Sequence, residues 1–251
     1  MRIQYCSDLH LEFAQNDKYL QQKPLVTNGD ILILAGDIVP LHEVNFSHPF
    51  FSLVADNYDK VFWVPGNHEY YHRDICEFGA SFDIQIRSNI HLVNNVARQY
   101  DGVRFVFSTL WSKLSAENEK VIEQGVSDFS CIQKKDKKLK ASDYNKLHGE
   151  CLNFLKRTLN DEVEKTIVVT HHLPSGLCNY PPHAKSPINE AFCVELTDYI
   201  EHCKANFWIY GHSHFNQKPL YVGDTVLLTN QLGYVHCNEH LGFKRQAYFL
   251  I

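Results

Sequence analysis

The chain has 251 residues, 44% of them hydrophobic and 13% aromatic, enough for one large domain or two small ones with a packed core. Its formal net charge of −5 gives no general attraction to nucleic acid or to an anionic membrane surface. The eight cysteines form no C-x-x-C pair, and a chain this long needs no staples, so reduced, mostly buried thiols are expected.

The N-terminal stretch lacks the apolar segment of a signal peptide. No apolar run reaches the ~20 residues of a membrane span. A cytoplasmic protein is the resulting expectation. Arg2–Cys6 reads as a strand leading into Asp8, and the unbroken apolar run 31–34 as a buried strand leading into Gly36-Asp37. A helix is expected over about 42–57. Residues 61–64 form the next strand and run into Gly66-Asn67-His68-Glu69. A weak pattern suggests a helix over 75–88. Residues 90–93 and 104–108 read as a pair of strands with Asp101-Gly102 as the turn between them.

Residues 112–143 are polar and Lys-rich, an insertion or a lid. The run from Lys134 to Lys140 has no interleaved aromatics and reads as a solvated helix or mobile lid rather than a nucleic-acid site. Ser142 can cap a helix in which Tyr144, Leu147, Cys151, Leu155 and Leu159 recur at helical spacing. Thr166–Thr170 is a strand ending in His171. Residues 190–204 suggest a helix, 207–210 a strand ending at Gly211-His212, and 225–229 and 246–251 the last strands. Helices alternate with strands early and strands cluster late. This favours one α/β domain over 1–251, a four-layer helix–sheet–sheet–helix sandwich with two mixed sheets.

Five polar clusters follow these strand ends: Asp8-Leu9-His10, Gly36-Asp37, Gly66-Asn67-His68-Glu69, His171-His172 and Gly211-His212-Ser213-His214. In open α/β sheets, sites form beyond the carboxyl ends of the strands. Asp8, His10, Asp37, Asn67, His171, His212 and His214 offer carboxylate, amide and imidazole ligands. Such a mixed set suits Mn, Fe, Ni, Co or Zn rather than calcium or a thiolate zinc site. Seven ligands exceed one ion's needs and suit two ions sharing a carboxylate, for which Asp37, the lone carboxylate of its cluster, is the natural bridge. In extended backbone, the i,i+2 pairs Asp8/His10 and His212/His214 point to one side. Tyr70, Tyr71 and Trp111 either wall the pocket or pack. His91, His148, His202, His236 and His240 lack this setting and belong to the surface or core.

These five blocks, in order and residue type, are similar to the signature of the calcineurin-like metallophosphoesterases, and they span residues 8 to 214. Asn230-Gln231-Leu232-Gly233-Tyr234 also resembles a C-terminal motif of some members. The resemblance implies that Asp8, His10 and His214 hold one divalent transition-metal ion, that Asn67, His171 and His212 hold a second, and that Asp37 bridges them. It implies His68 as the catalytic residue that protonates the leaving oxygen. His171 is taken as the ligand because it directly follows its strand; His172 would support it or face substrate, and Glu69 would orient a neighbouring group or merely stand behind the ligands. The implied activity is hydrolysis of a small phosphomonoester or phosphodiester by in-line attack of a metal-bridging hydroxide. A nuclease of the same superfamily and a non-catalytic scaffold are the alternatives.

Overall fold

In the computed structural model, which describes residues 1–161 and 163–251, parallel strands build the centre of each of two sheets. The first contains β1 (Arg2–Cys6), β2 (Ile31–Ala35), β3 (Lys60–Val64), β4 (Phe82–Arg87), β5 (Ile90–Asn94) and β14 (Tyr248–Leu250), in the order β14-β1-β2-β3-β5-β4. The second contains β6 (Val96–Tyr100), β7 (Val103–Ser108), β10 (Thr166–Thr170), β11 (Phe207–Ile209), β12 (Leu220–Val222) and β13 (Thr225–Leu228), in the order β12-β13-β11-β10-β7-β6. In each sheet four parallel strands are flanked by antiparallel edges. Both sheets are mixed, as expected.

Alternation along the strands creates the layers. Ile31, Ile33 and Ala35 of β2 meet Phe105, Phe107, Ile167 and Val169 of the other sheet, forming the inner core. Leu32 and Leu34 point the other way, toward α2 (Pro49–Asn57) and its Phe51. Val168, Trp208 and Leu227 face outward in the second sheet and pack with Leu155 of α5 (Ala141–Thr158) and Ile200 of α6 (Thr197–His202). An unbroken apolar run such as 31–34 therefore marks a strand covered on both faces. Each such fully buried side chain contributes about 1.5–3 kcal/mol.

Several local readings differ from expectation. Residues 75–88 hold one turn of 3₁₀ helix, Ile75–Glu77, and the edge strand β4, whose Phe82, Ile84 and Ile86 repeat with period two. The Asp101-Gly102 turn is real, but it joins β6 to β7; β5 belongs to the opposite sheet. The expected 42–57 helix is a 3₁₀ turn, Glu43–Ser47, followed by α2. The expected 190–204 helix is a 3₁₀ turn, Asn189–Ala191, followed by α6, because Cys193 between them pairs with Leu173 in a β-bridge. In α5 the cap is Lys140, whose N–H donates to Asp143, not Ser142. Helix α1 (Ala14–Gln22) escaped notice because only Asn16 and Leu20 of it are buried.

The 112–143 segment is an ordered wall with its own small core. It contributes α3 (Glu119–Gly125), α4 (Asp128–Cys131) and a two-residue hairpin, β8 (Gln133–Lys134) and β9 (Lys137–Lys138). Ile122, Phe129, Ile132 and Leu139 pack with Tyr70, Trp111 and Tyr144. The lysine run is thus a hairpin rather than a helix. All eight cysteines are free, but only Cys6, Cys151 and Cys178 are buried. Among the described residues, no helix is long and apolar enough to cross a membrane.

Candidate metal centre

The carboxyl ends of β1, β2, β3, β10 and β11 open at one edge of the two sheets, and the five polar clusters meet there. The backbone that delivers them is left-handed rather than extended: φ is 56° at Asp8, 47° at His10, 56° at Asp37, 77° at His212 and 54° at His214. The two i,i+2 pairs therefore converge because their backbone is held in a sparsely populated region, a feature that clusters at functional sites. Gly66 approaches so closely that a Cβ would overlap Asp37 Oδ1 and come within 2.7 Å of His171 Nε2.

Two groups of ligand atoms result, Asp8–His10–His214 and Asp37–His171–His212, each within 4.8 Å of one another. In the first, His10 Nε2 and His214 Nε2 face each other at 3.0 Å, and Asp8 Oδ1 lies 3.4 Å from His214 Nε2. The opposite ring nitrogens are committed: His10 Nδ1 to Glu12 at 3.2 Å and His214 Nδ1 to Glu239 at 2.6 Å. With the protons there, both Nε2 lone pairs point at one place. Facing lone pairs repel unless a cation lies between them, so this donor set fits a metal ion.

The second group repeats the logic. His171 Nδ1–H donates to Ala35 O at 2.9 Å, which leaves Nε2 as the ring's ligating atom, 3.1 Å from His212 Nδ1. Asn67 gives its amide N–H to Asp128 at 2.8 Å, so its Oδ1 turns inward, 3.1 Å from His171 Nε2. Asp37 Oδ2 reaches both groups, lying 3.4 Å from His171 Nε2 and 3.8 Å from His10 Nε2. A third grouping, His10–Glu12–His68, is a hydrogen-bonded triad rather than a cage: Glu12 Oε1 accepts from the Nδ1 of both rings, at 3.2 and 2.9 Å.

Electrostatics agree with cation binding. Burial pulls His171 and His214 down, but Asp37 outweighs it at the first and Asp8 with Glu239 at the second. Their pKa values rise to about 9 and about 10. Burial pushes Asp37 up, yet His171, His68 and His10 hold it well below the usual carboxylate range. The carboxylates thus favour a second proton on each of these rings, and a cation bound there would take that proton's place.

The remaining expected residues have definite places. His68 N–H donates to Asp37 Oδ1 at 2.9 Å, and its ring stacks on Tyr71 at 4.1 Å. Its Nε2 faces the cavity, 3.5 Å from Tyr234 Oη. Glu69 is fully buried and accepts from the backbone of Asp37, Ile38 and Gly66 and from the Trp63 indole, at 2.7–3.0 Å. It ties the loop after β2 to the loop after β3. His172 is fully buried behind His212, 2.8 Å from Tyr144 Oη and outside the cavity lining. Of the aromatics, Tyr71 lines the cavity, while Tyr70 and Trp111 pack beneath it.

The sequence reading missed Glu12, Asp128 and Glu239. Glu12 extends the alternation Asp8-x-His10-x-Glu12 and could have been found by it. Asp128 and Glu239 have no sequence signal, since each reaches its partner only through the fold. The cavity is about 570 Å³ and is walled on one side by Val126–Asp128 and on the other by Ser186–Phe192.

The family model for calcineurin-like phosphoesterase matches residues 1–216. An uncharacterized protein of Acanthamoeba polyphaga mimivirus is 34% identical over 277 aligned positions, covering 99% of this chain and 96% of that protein. The crystal structure of phosphopantetheinyl hydrolase from Mycobacterium tuberculosis superposes with a TM-score of 0.72 at 16% identity, covering 99% of this chain and 95% of that one, a likeness of fold. The chain belongs to the calcineurin-like phosphoesterase family, whose members are metal-dependent hydrolases of phosphate esters.

Proposed function

We propose that this protein hydrolyses a small phosphate ester at a dinuclear metal centre, with residues 1–251 acting as one catalytic domain. Asp8, His10 and His214 would hold one ion, Asn67, His171 and His212 the other, and Asp37 would serve both. The observation that carries this reading is the position of Asp37 Oδ2 between the two ligand groups, 3.8 Å from His10 Nε2 and 3.4 Å from His171 Nε2. Two divalent ions held there would supply a water reactive near neutral pH and positive charge for the phosphoryl oxygens.

His68 serves the leaving group. Burial lowers its pKa, but Asp37 and Glu12 outweigh that and raise it, which favours the protonated ring. Its Nδ1–H is held by Glu12, and the Nε2–H faces the cavity, where it can pass to the departing oxygen. The His68 backbone N–H fixes Asp37 at the same time, coupling the acid to the bridge.

The test is metal removal and return. Chelator-stripped protein should fail to cleave p-nitrophenyl phosphate and bis(p-nitrophenyl) phosphate and recover as about two equivalents of Mn(II) are added. Asp37→Asn should lower the occupancy of both ions together. Turnover by stripped protein would refute the metal-dependent reading. Loss of only one ion in the variant would refute the bridge.

A further inference from the structure

The segment Asn230-Gln231-Leu232-Gly233-Tyr234 stands out in the sequence, and none of its side chains is a ligand or the acid. The fold straps it to the loops that carry Asp8, His10 and His214. Leu232 N–H donates to Ser7 O and Gly233 N–H to Asp8 O, each at 3.1 Å. The Gln231 amide oxygen accepts from His214 N–H at 2.6 Å. Asn16, fully buried in α1, gives its amide N–H groups to Leu9 O and Gly233 O at 2.9 and 2.8 Å and accepts from Val235 N–H at 3.1 Å. Gly233 has a φ of 67°, and a Cβ there would come within 2.9 Å of His214 Cβ. Glu239 Oε2 accepts from Tyr234 N–H at 2.7 Å and from His214 Nδ1 at 2.6 Å.

These bonds deliver Tyr234 to one place. Its ring stands edge-on to His214 at 4.5 Å and to Phe13 at 5.4 Å, and lies 4.8 Å from the His10 ring. Tyr234 and His68 both line the cavity, and the Tyr234 hydroxyl is 3.5 Å from His68 Nε2. That separation is too long for a strong hydrogen bond between the two. The hydroxyl has no other hydrogen-bond partner among the described residues. With an ordinary pKa of about 10, a phenol carries its hydrogen at neutral pH. An oxygen about 2.8 Å from both groups could accept from both. A ring that only packed would need no hydroxyl there.

Resting on the hydrolase reading above, we propose that Tyr234 is a second catalytic residue, donating a hydrogen bond to the leaving ester oxygen beside His68. Two bound ions would serve the phosphoryl oxygens, and the leaving oxygen depends on His68 and Tyr234. A water oxygen bonds to phosphorus as the ester P–O bond breaks. The electron pair of that bond passes to the leaving oxygen, which takes the Nε2 proton of His68. Tyr234 keeps its own proton and stabilises the charge that gathers on this oxygen before the transfer is complete. The strap of Asn16, Gln231 and Glu239 fixes the hydroxyl in advance, so no reorganisation is needed at the moment of reaction.

Tyr234→Phe keeps the ring and removes only the hydroxyl. Propyl phosphate, p-nitrophenyl phosphate and the methyl diester of each are assayed on the Mn(II)-loaded wild type and variant. Metal content is measured by elemental analysis. Binding of butylphosphonate, which has a methylene group where propyl phosphate has its leaving oxygen, is measured by calorimetry. The variant should lose about 10- to 100-fold in kcat on the propyl esters and about threefold or less on the p-nitrophenyl esters, whose leaving group needs little help. It should keep both ions and bind butylphosphonate as the wild type does. Undiminished turnover of the propyl esters would show that the ring only packs. An equal loss for both leaving groups, or weaker phosphonate binding, would place the hydroxyl on the phosphoryl group instead. Loss of metal would make Tyr234 a support of the ligand loops, and a wild type that cleaves only p-nitrophenyl esters would have no assisted leaving group. Each of these results overturns the proposal and leaves the hydrolase reading intact. Failure of the wild type on every ester would overturn that reading, and this proposal with it.

Discussion

Glu12 offers the sharpest test of how the site is wired. One of its oxygens accepts from His10 Nδ1 at 3.2 Å and from His68 Nδ1 at 2.9 Å, and its side chain is 19% exposed. Burial raises its pKa, but the hydrogen bonds from His10 and His68 outweigh that and lower it, so it is a carboxylate. Glu12→Gln keeps the shape and removes the charge. A hydrogen bond to a charged group is worth about 1.5–3 kcal/mol. If that orients His68 in the transition state, kcat falls by about 10- to 150-fold at saturating metal. The loss should depend on the leaving group. An alkyl phosphate ester needs the proton from His68 and should show the full effect, while p-nitrophenolate leaves readily unaided and should show little. Losing a carboxylate behind a ligating imidazole also weakens metal binding by about 10- to 100-fold. That loss should fall on the ion held by His10 and spare the one at His171, which has no contact with Glu12 in the described structure. Metal titration followed by rate measurements with both leaving groups separates the two effects. An equal loss for both leaving groups, or equal weakening of both ions, would refute the wiring.

Three further outcomes are expected. His68→Ala should lose about 10²- to 10⁴-fold in turnover of an alkyl ester while elemental analysis finds both ions; parallel metal loss would make it structural. Gly66→Ala should displace Asp37 and His171 and abolish metal binding, with a stability cost of about 1–3 kcal/mol and an unchanged far-UV circular dichroism spectrum; full metal content would contradict the close approach. His148, behind the wall, donates from Nδ1 to Leu110 O and Trp111 O, and burial lowers its pKa. The unfolded chain takes up that proton first, below about pH 6.5. Its contribution is therefore present above that pH and lost as the pH falls. Urea unfolding of metal-free protein should show a shallower acid decline in His148→Asn, by at most about 1.4 kcal/mol per pH unit; an identical slope would show that His148 does not titrate.

The parts of this protein that could be read from sequence are those where one physical cause acts locally. Residues 31–34 are apolar on both faces because they lie between two cores, and any strand so placed must look the same. The five polar clusters stood out because parallel strands deliver their carboxyl ends to one edge, so every strand leading to the site ends in a polar cluster. The period-two pattern of β4 was legible in principle and was overridden by a weak helical signal. Other features depend on the whole fold. The i,i+2 pairs were expected to converge through extended backbone; they converge through left-handed backbone, which neighbouring hydrogen bonds enforce, such as Asp8 N–H to Gly36 O and His10 N–H to Asp37 O.

The electrostatic character of the cavity was the least accessible feature, and the reason bears on function. A net charge of −5 over 251 residues gives no hint of where the acids lie. Asp128 lies 61 residues from Asn67 and Glu239 lies 25 residues from His214, yet each fixes the ring or amide that faces the centre. These acids set which ligand atom turns inward. A lysine or arginine at the same positions would serve neither the tautomer of His214 nor the amide orientation of Asn67.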